Sequence, residues 1–161
     1  MAYNTIKTDK HLDLVHAEQV CDIAIANGYQ SIAVATGSHS QAIADGTNSL
    51  AVAFGERSAA TALKPRSMAF GGVNPFGVVR GVKGSFLILT ECDCDGELTN
   101  VVAVEVDGKN IFPDVLYVLL NGYIMPFVVE ERHKYPTIEV KTVKKQLTDV
   151  EKQNKGVYTA C

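Results

Sequence analysis

The chain has 161 residues, of which 47% are hydrophobic and 20% charged, with a formal net charge of −3. This balance suits one folded domain; it offers no basic face for non-specific nucleic-acid binding and is too mildly acidic for a disordered acidic protein. Aromatic residues make up only 7% and Trp is absent, so a thick core of large side chains is excluded and small residues must pack closely.

Residues 1–10 lack the apolar run of a secretory signal, and no stretch reaches membrane-span length. A cytoplasmic product without membrane association is the expectation. Residues 1–18 are read as an irregular or helical N-terminal cap, of the kind that repeat arrays use to protect an open end.

From residue 19 a nine-residue repeat takes over. Five blocks align without a gap at 28–36, 37–45, 46–54, 55–63 and 64–72. Ser holds the fourth position (Ser31, Ser40, Ser49, Ser58, Ser67) and Ala the sixth (Ala33, Ala42, Ala51, Ala60, Ala69). The eighth is Ala35, Ala44, Ala53, Ala62 and then Gly71, and Gly opens four of the five blocks. Block 19–27 also fits, with Asp22 in the serine slot, and 10–18 matches loosely.

Positions four, six and eight alternate with five, seven and nine, so each block holds a short strand with one Ser/Ala face and one larger face. The opening Gly and the two residues after it form the turn, where Gly is expected to supply positive φ. One block cannot close a coil, but two can. The predicted unit is an 18-residue coil in which two parallel sheets face each other across a thin Ser/Ala layer. Glycine at every ninth residue and β-branched outer positions argue against a helical reading. Alternate blocks then share a sheet. One outer face carries Ile32, Val34, Leu50 and Val52, continued by Phe54, Met68 and Phe70. The other carries Ile23, Ile25, Gln41, Ile43, Asp45, Thr61 and Leu63. The first is apolar enough to mark an interface.

Residues 73–84 form a transition. An antiparallel β-meander is predicted over 85–129, with the Asn121-Gly122 pair as a two-residue hairpin turn. The charged tail 130–161 contains a predicted short helix over 142–154, striped by Val143, Leu147 and Val150. The fold class expected is therefore mainly β: a two-sheet parallel β-roll over 19–72, capped by the meander and the short helix.

Chemistry is sparse. His11, His16, His39 and His133 have no nucleophile or carboxylate at recognisable spacing, and no catalytic residue, metal site or cofactor is expected. The cysteines Cys21, Cys92, Cys94 and Cys161 show neither a disulfide framework nor paired zinc spacing. Calcium-binding nonapeptide rolls need an Asp in each turn, which these turns lack. Arg57, Lys64, Arg66, Arg80 and Lys83 accumulate toward one end of the roll and are the candidate contacts for an anion or an acidic partner.

The Ala-Thr-Gly-x-x-Ser-x-Ala blocks precede the strand Lys83-Gly84-Ser85-Phe86-Leu87-Ile88-Leu89 and a Val106-Asp107-Gly108…Ile111-x-Pro113-Asp114…Tyr117 segment. Together, over about residues 28–122, they resemble an uncharacterised domain family of phage and mobile-element proteins; Phe86 stands where that pattern would carry Trp. More distantly the roll is similar to the repeat heads of trimeric bacterial adhesins. The resemblance implies a non-enzymatic protein in the host cytoplasm that binds a macromolecular partner through the roll, with countering a host defence among its uses. The partner is another protein or the chain itself, as a dimer or trimer, and not nucleic acid. Two alternatives remain: a trimeric structural component of a virion or surface appendage, and a small-ligand or nucleotide sponge.

Overall fold

The computed structural model describes residues 4–72, 77–93, 95–127 and 137–139, and among them every regular element is a strand. The helix expected over 142–154 lies outside the described residues. The first strands are β1 (Thr5–Thr8), β2 (Leu14–Ala17), β3 (Ile23–Ala26), β4 (Ile32–Ala35) and β5 (Gln41–Ala44). Next come β6 (Leu50–Ala53), β7 (Ala59–Ala62), β8 (Met68–Gly71), β9 (Val78–Gly81) and β10 (Phe86–Cys92). The chain continues with β11 (Leu98–Glu105), β12 (Tyr117–Leu120), β13 (Tyr123–Pro126) and β14 (Ile138–Glu139).

The fold is the two-sheet roll. Sheet A has the order β1-β3-β5-β7-β9-β12-β13-β14, and sheet B the order β11-β10-β8-β6-β4-β2. Ala33 lies beside Ala51 and Ala51 beside Ala69, so one coil advances 18 residues. Ala24, Ala42 and Ala60 form the facing column in sheet A. All six are fully buried. The interior is one methyl group per wall, which is why larger residues are confined to the outside.

The roll starts earlier than the repeat alone predicts. Within the cap expected over 1–18, residues 5–17 belong to the roll, because β1 and β2 pair in parallel with β3 and β4 in the same 18-residue register. Inward positions there hold Val15 and Thr8 in place of Ala, which hides the phase. The roll also runs on past residue 72: β9 joins β7 and β10 joins β8, both in parallel. Ala60 pairs with Val79, a step of 19, while Ala69 pairs with Leu87. One extra residue in that coil breaks the repeat without breaking the sheet.

The turns revise the role given to glycine. Ser40 N–H donates to Gly37 O at 3.3 Å and Ser58 N–H to Gly55 O at 3.2 Å, closing four-residue turns. Positive φ falls on the third residue of these turns and never on the opening Gly: Gln30 (56°), His39 (59°), Asn48 (57°), Arg57 (54°), Arg66 (66°). The opening glycine is needed for space. A Cβ on Gly28 would lie 1.7 Å from Lys10 O, on Gly37 2.0 Å from Gln19 O, and on Gly46 1.9 Å from Gly28 O.

Those same carbonyls are capped by the serine column. The hydroxyls of Ser31, Ser40, Ser49, Ser58 and Ser67 donate to the carbonyls of Lys10, Gln19, Gly28, Gly37 and Gly46 at 2.6–3.0 Å. Ser49 Oγ also accepts from Ser31 N–H at 3.3 Å, so one hydroxyl holds both ends of the turn in the coil before it. Ser49→Ala should cost about 1–3 kcal/mol, because it strips a buried hydrogen-bonding group from Gly28 O. The midpoint of urea unfolding measures this, and an unchanged midpoint would refute the stapling role. Leu12 offers the opposite test, being 77% exposed with φ 56°. Asn accepts that left-handed conformation more readily, so Leu12→Asn should stabilise by about 1 kcal/mol, seen as a higher Tm.

At the C-terminal end the predicted meander divides between the two walls. β11 pairs antiparallel with β10 in sheet B, and β12 antiparallel with β9 in sheet A. The chain crosses between walls over 106–116, so each parallel wall receives its own closing strand. The interior coarsens here: Leu87, Leu89, Val79, Tyr117 and Ile124 are fully buried. Asn121 (φ 52°) and Gly122 (φ 77°) form the tight turn between β12 and β13, as the Asn-Gly pair predicts. The Glu91 carboxylate clamps that turn, accepting from Asn121 N–H and, at 3.1 Å, from Gly122 N–H. Asp107 accepts from the N–H groups of Lys109, Asn110 and Ile111, which hold its carboxyl down to about 2.

Candidate interaction surface

In a parallel sheet neighbouring residues in register share a face, so the 18-residue coil stacks like side chains into rows. On the outside of sheet B, Leu14, Ile32, Leu50, Met68 and Phe86 form one row. His16, Val34, Val52, Phe70, Ile88 and Ala103 form the second. All seven residues expected on this face are brought together there. Phe54 and Phe70 meet edge-to-face with centroids 5.5 Å apart, and Val52 is buried beneath its neighbours. Leu50, Val52, Phe54, Met68, Phe70 and Ile88 line a shallow apolar depression of about 250 Å³.

Leu14, Phe86, Ile88 and Ala103 extend the face beyond the expected set. The first three occupy the same block positions as Ile32 and Val34, in the loose block 10–18 and in 82–90. The signal is present there but lies outside the gap-free repeat. Sheet A is different outside: its rows mix Ile23 with Gln41 and Ala59, and Ile43 with Thr61 and Arg80.

The basic candidates do not form one site. Lys64, Arg66 and Lys83 lie on successive turns of one edge, where Arg66 N–H donates to Gly84 O at 2.7 Å. Lys64 Nζ lies 3.5 Å from Asp45 Oδ1. Arg57 sits on the opposite edge between β6 and β7, with Nε 3.7 Å from Glu56 Oε1. Arg80 is on the outer face of sheet A, its Nε donating to Thr61 Oγ1 at 3.4 Å.

One trio of side chains has the outline of a nucleophile with its base. His16 Nε2 is 2.8 Å from Thr36 Oγ1, and its Nδ1 is 3.1 Å from Glu18 Oε1. Nucleophilic catalysis by such a trio needs free N–H groups beside the hydroxyl to hold an oxyanion. The N–H groups of Thr36 and Gly37 both donate to Ala17 O, at 2.9 and 3.4 Å. Those two N–H groups are therefore engaged in the coil and are not free to hold an oxyanion beside the hydroxyl. The Cys92 thiol is pushed up by burial, then by Asp93, Glu91 and Glu97, the reverse of an activated thiolate. Among the described residues no group of three or more His, Cys, Asp or Glu is placed to hold a metal ion, and no helix is long and apolar enough to cross a membrane. No family model, curated protein or solved structure matches this chain.

Proposed function

We propose that the chain is a non-enzymatic phage or mobile-element protein that binds a macromolecular partner inside the host cell through the outer face of sheet B, and that it serves to counter a host defence. The observation that carries the binding role is the continuity of the apolar rows across sheet B, with Leu14 58%, Phe54 41% and Phe86 40% exposed. Isolated apolar residues on a surface are ordinary; an unbroken apolar face several strands wide has a binding use. The phage setting is supported by the sequence resemblance over residues 28–122 alone.

A protein partner fits better than nucleic acid, because the two rows carry no Lys or Arg to neutralise phosphate. The rigid main-chain ladder beneath it suits docking without rearrangement, which keeps the ordering cost low. The test compares the native chain with Leu50→Glu/Met68→Glu, both outward positions, in host lysate and by native mass at low micromolar concentration. A host protein that co-purifies with the native monomer and is lost from the variant supports the reading. A trimer that falls apart in the variant, with no host protein attached, transfers the face to the structural virion alternative. A native monomer that captures nothing overturns both.

A further inference from the structure

We propose that β11 is a homotypic edge: two copies of this chain pair their β11 strands antiparallel about a two-fold axis and fuse their sheets B into one. The proposal stands apart from the partner assigned to the sheet face.

Each sheet ends in two terminal strands, and among the described residues three of the four are short or guarded. β14 has 2 residues, and β1 and β2 have 4 each. β1 carries Lys7, and the inward Thr8 beside it donates its hydroxyl to Asp13 Oδ2 at 2.6 Å, plugging the open end. β11 is different. It has 8 residues, Leu-Thr-Asn-Val-Val-Ala-Val-Glu, with no Pro, Gly, Lys or Arg. Charge, proline, brevity and bulges are the devices that keep sheet edges from pairing; β11 has a register shift at Thr99 near its start and Glu105 at its end, and the stretch between them carries none of these.

The main-chain geometry suits a second copy. Val106 N–H donates to Ser85 O, and Phe86 N–H turns the other way, to Ser67 O, both at 2.9 Å. Antiparallel alternation then points the N–H and C=O of Val101, Ala103 and Glu105 away from β10. With Val101 set opposite Ala103 of the second copy, the outward groups of both residues bond each other in pairs, and Glu105 falls opposite Thr99, at the register shift, so no like charges face directly. Opposed residues share a face, so the apolar row that ends at Ala103 meets Val101 of the twin across the seam.

An eight-residue strand is ~27 Å long, and a pairing strip of that length buries roughly 500 Å² in total, well below the ~1,200 Å² of a stable complex. The dimer is therefore weak and reversible.

Sedimentation velocity from ~1 µM to ~1 mM reads the association, and amide exchange across the same range locates it. The expected result is a monomer–dimer equilibrium in which exchange at Val101, Ala103 and Glu105 slows with concentration while Val102 and Val104 stay unchanged. Val101→Lys/Ala103→Lys, both on the solvent face, should weaken association at least about tenfold; Leu50→Glu/Met68→Glu should leave it intact. A monomer throughout, or a dimer whose outward β11 amides exchange as in the monomer, overturns the proposal. So does a trimer abolished by Leu50→Glu/Met68→Glu.

Discussion

Gly46→Ala is expected to cost about 3 kcal/mol or more, at the upper end of overpacking. The added methyl would lie 1.9 Å from Gly28 O and 2.6 Å from Ser49 Oγ. Neither atom is free to retreat. Gly28 O is held by the Ser49 hydroxyl at 2.8 Å, and its turn is tied to the next coil by Ser31 N–H to Ser49 Oγ and Gln30 N–H to Thr47 O. Relief requires the two coils to separate, which breaks the sheet ladders on both sides. In a chain of this size that loss lowers Tm by roughly 6–12 °C. Gly96→Ala provides the contrast, since its φ is +82° but nothing lies within 4 Å of the new methyl. Only backbone strain remains there, about 1 kcal/mol. A Gly46→Ala chain no less stable than Gly96→Ala would refute the close-approach account.

The second large effect separates two neighbouring alanines. Ala59 and Ala60 are adjacent in β7; Ala60 is fully buried and Ala59 faces outward. Ala60→Leu forces three more carbons between walls that a short turn joins at every ninth residue. We expect a loss of about 3 kcal/mol or more. Ala59→Leu, with the same chemistry one residue away, should stay within about 0.5 kcal/mol. Denaturant midpoints of the pair measure the difference directly. Equal destabilisation would mean the strand does not alternate as described.

The two walls, the 18-residue coil and the membership of each outer face are all legible in the Ser/Ala phase. Side-chain alternation and repeat length together leave little freedom: two nine-residue blocks close a coil, and block parity assigns the sheet. The Asn121-Gly122 turn is legible for the same kind of reason, since its conformation depends only on local chemistry. What the sequence hides depends on contacts between distant residues. Glu91 reaches a turn 30 residues away, and no local pattern marks it. Positive φ is the commonest use of glycine in turns, and it misleads here. The carbonyl of the previous coil, 18 residues back, excludes a Cβ, while Gln30, His39 and Arg57 take up the left-handed backbone. The coils at both ends are obscured where inward alanine gives way to Thr8, Val15, Val79 and Leu87. Of the proposed contacts, the apolar set is recoverable because it follows the repeat. The basic set is not, because one strand carries the chain from one edge to the other, so that Arg57 and Lys64, seven residues apart, lie on opposite edges.

The change of interior lining along the roll, from alanine to leucine and tyrosine, gives the molecule a mechanical polarity. An alanine methyl contributes little by leaving water, at about 0.8 kcal/mol per carbon, whereas each leucine or tyrosine adds several such units. In a stack whose layers touch only their neighbours, opening spreads inward from the weakest terminus. The rod therefore unravels from the Leu14 end and holds fast at the Phe86 end. A body pulling on the apolar face would find a compliant lip at one side and a stiff anchor at the other.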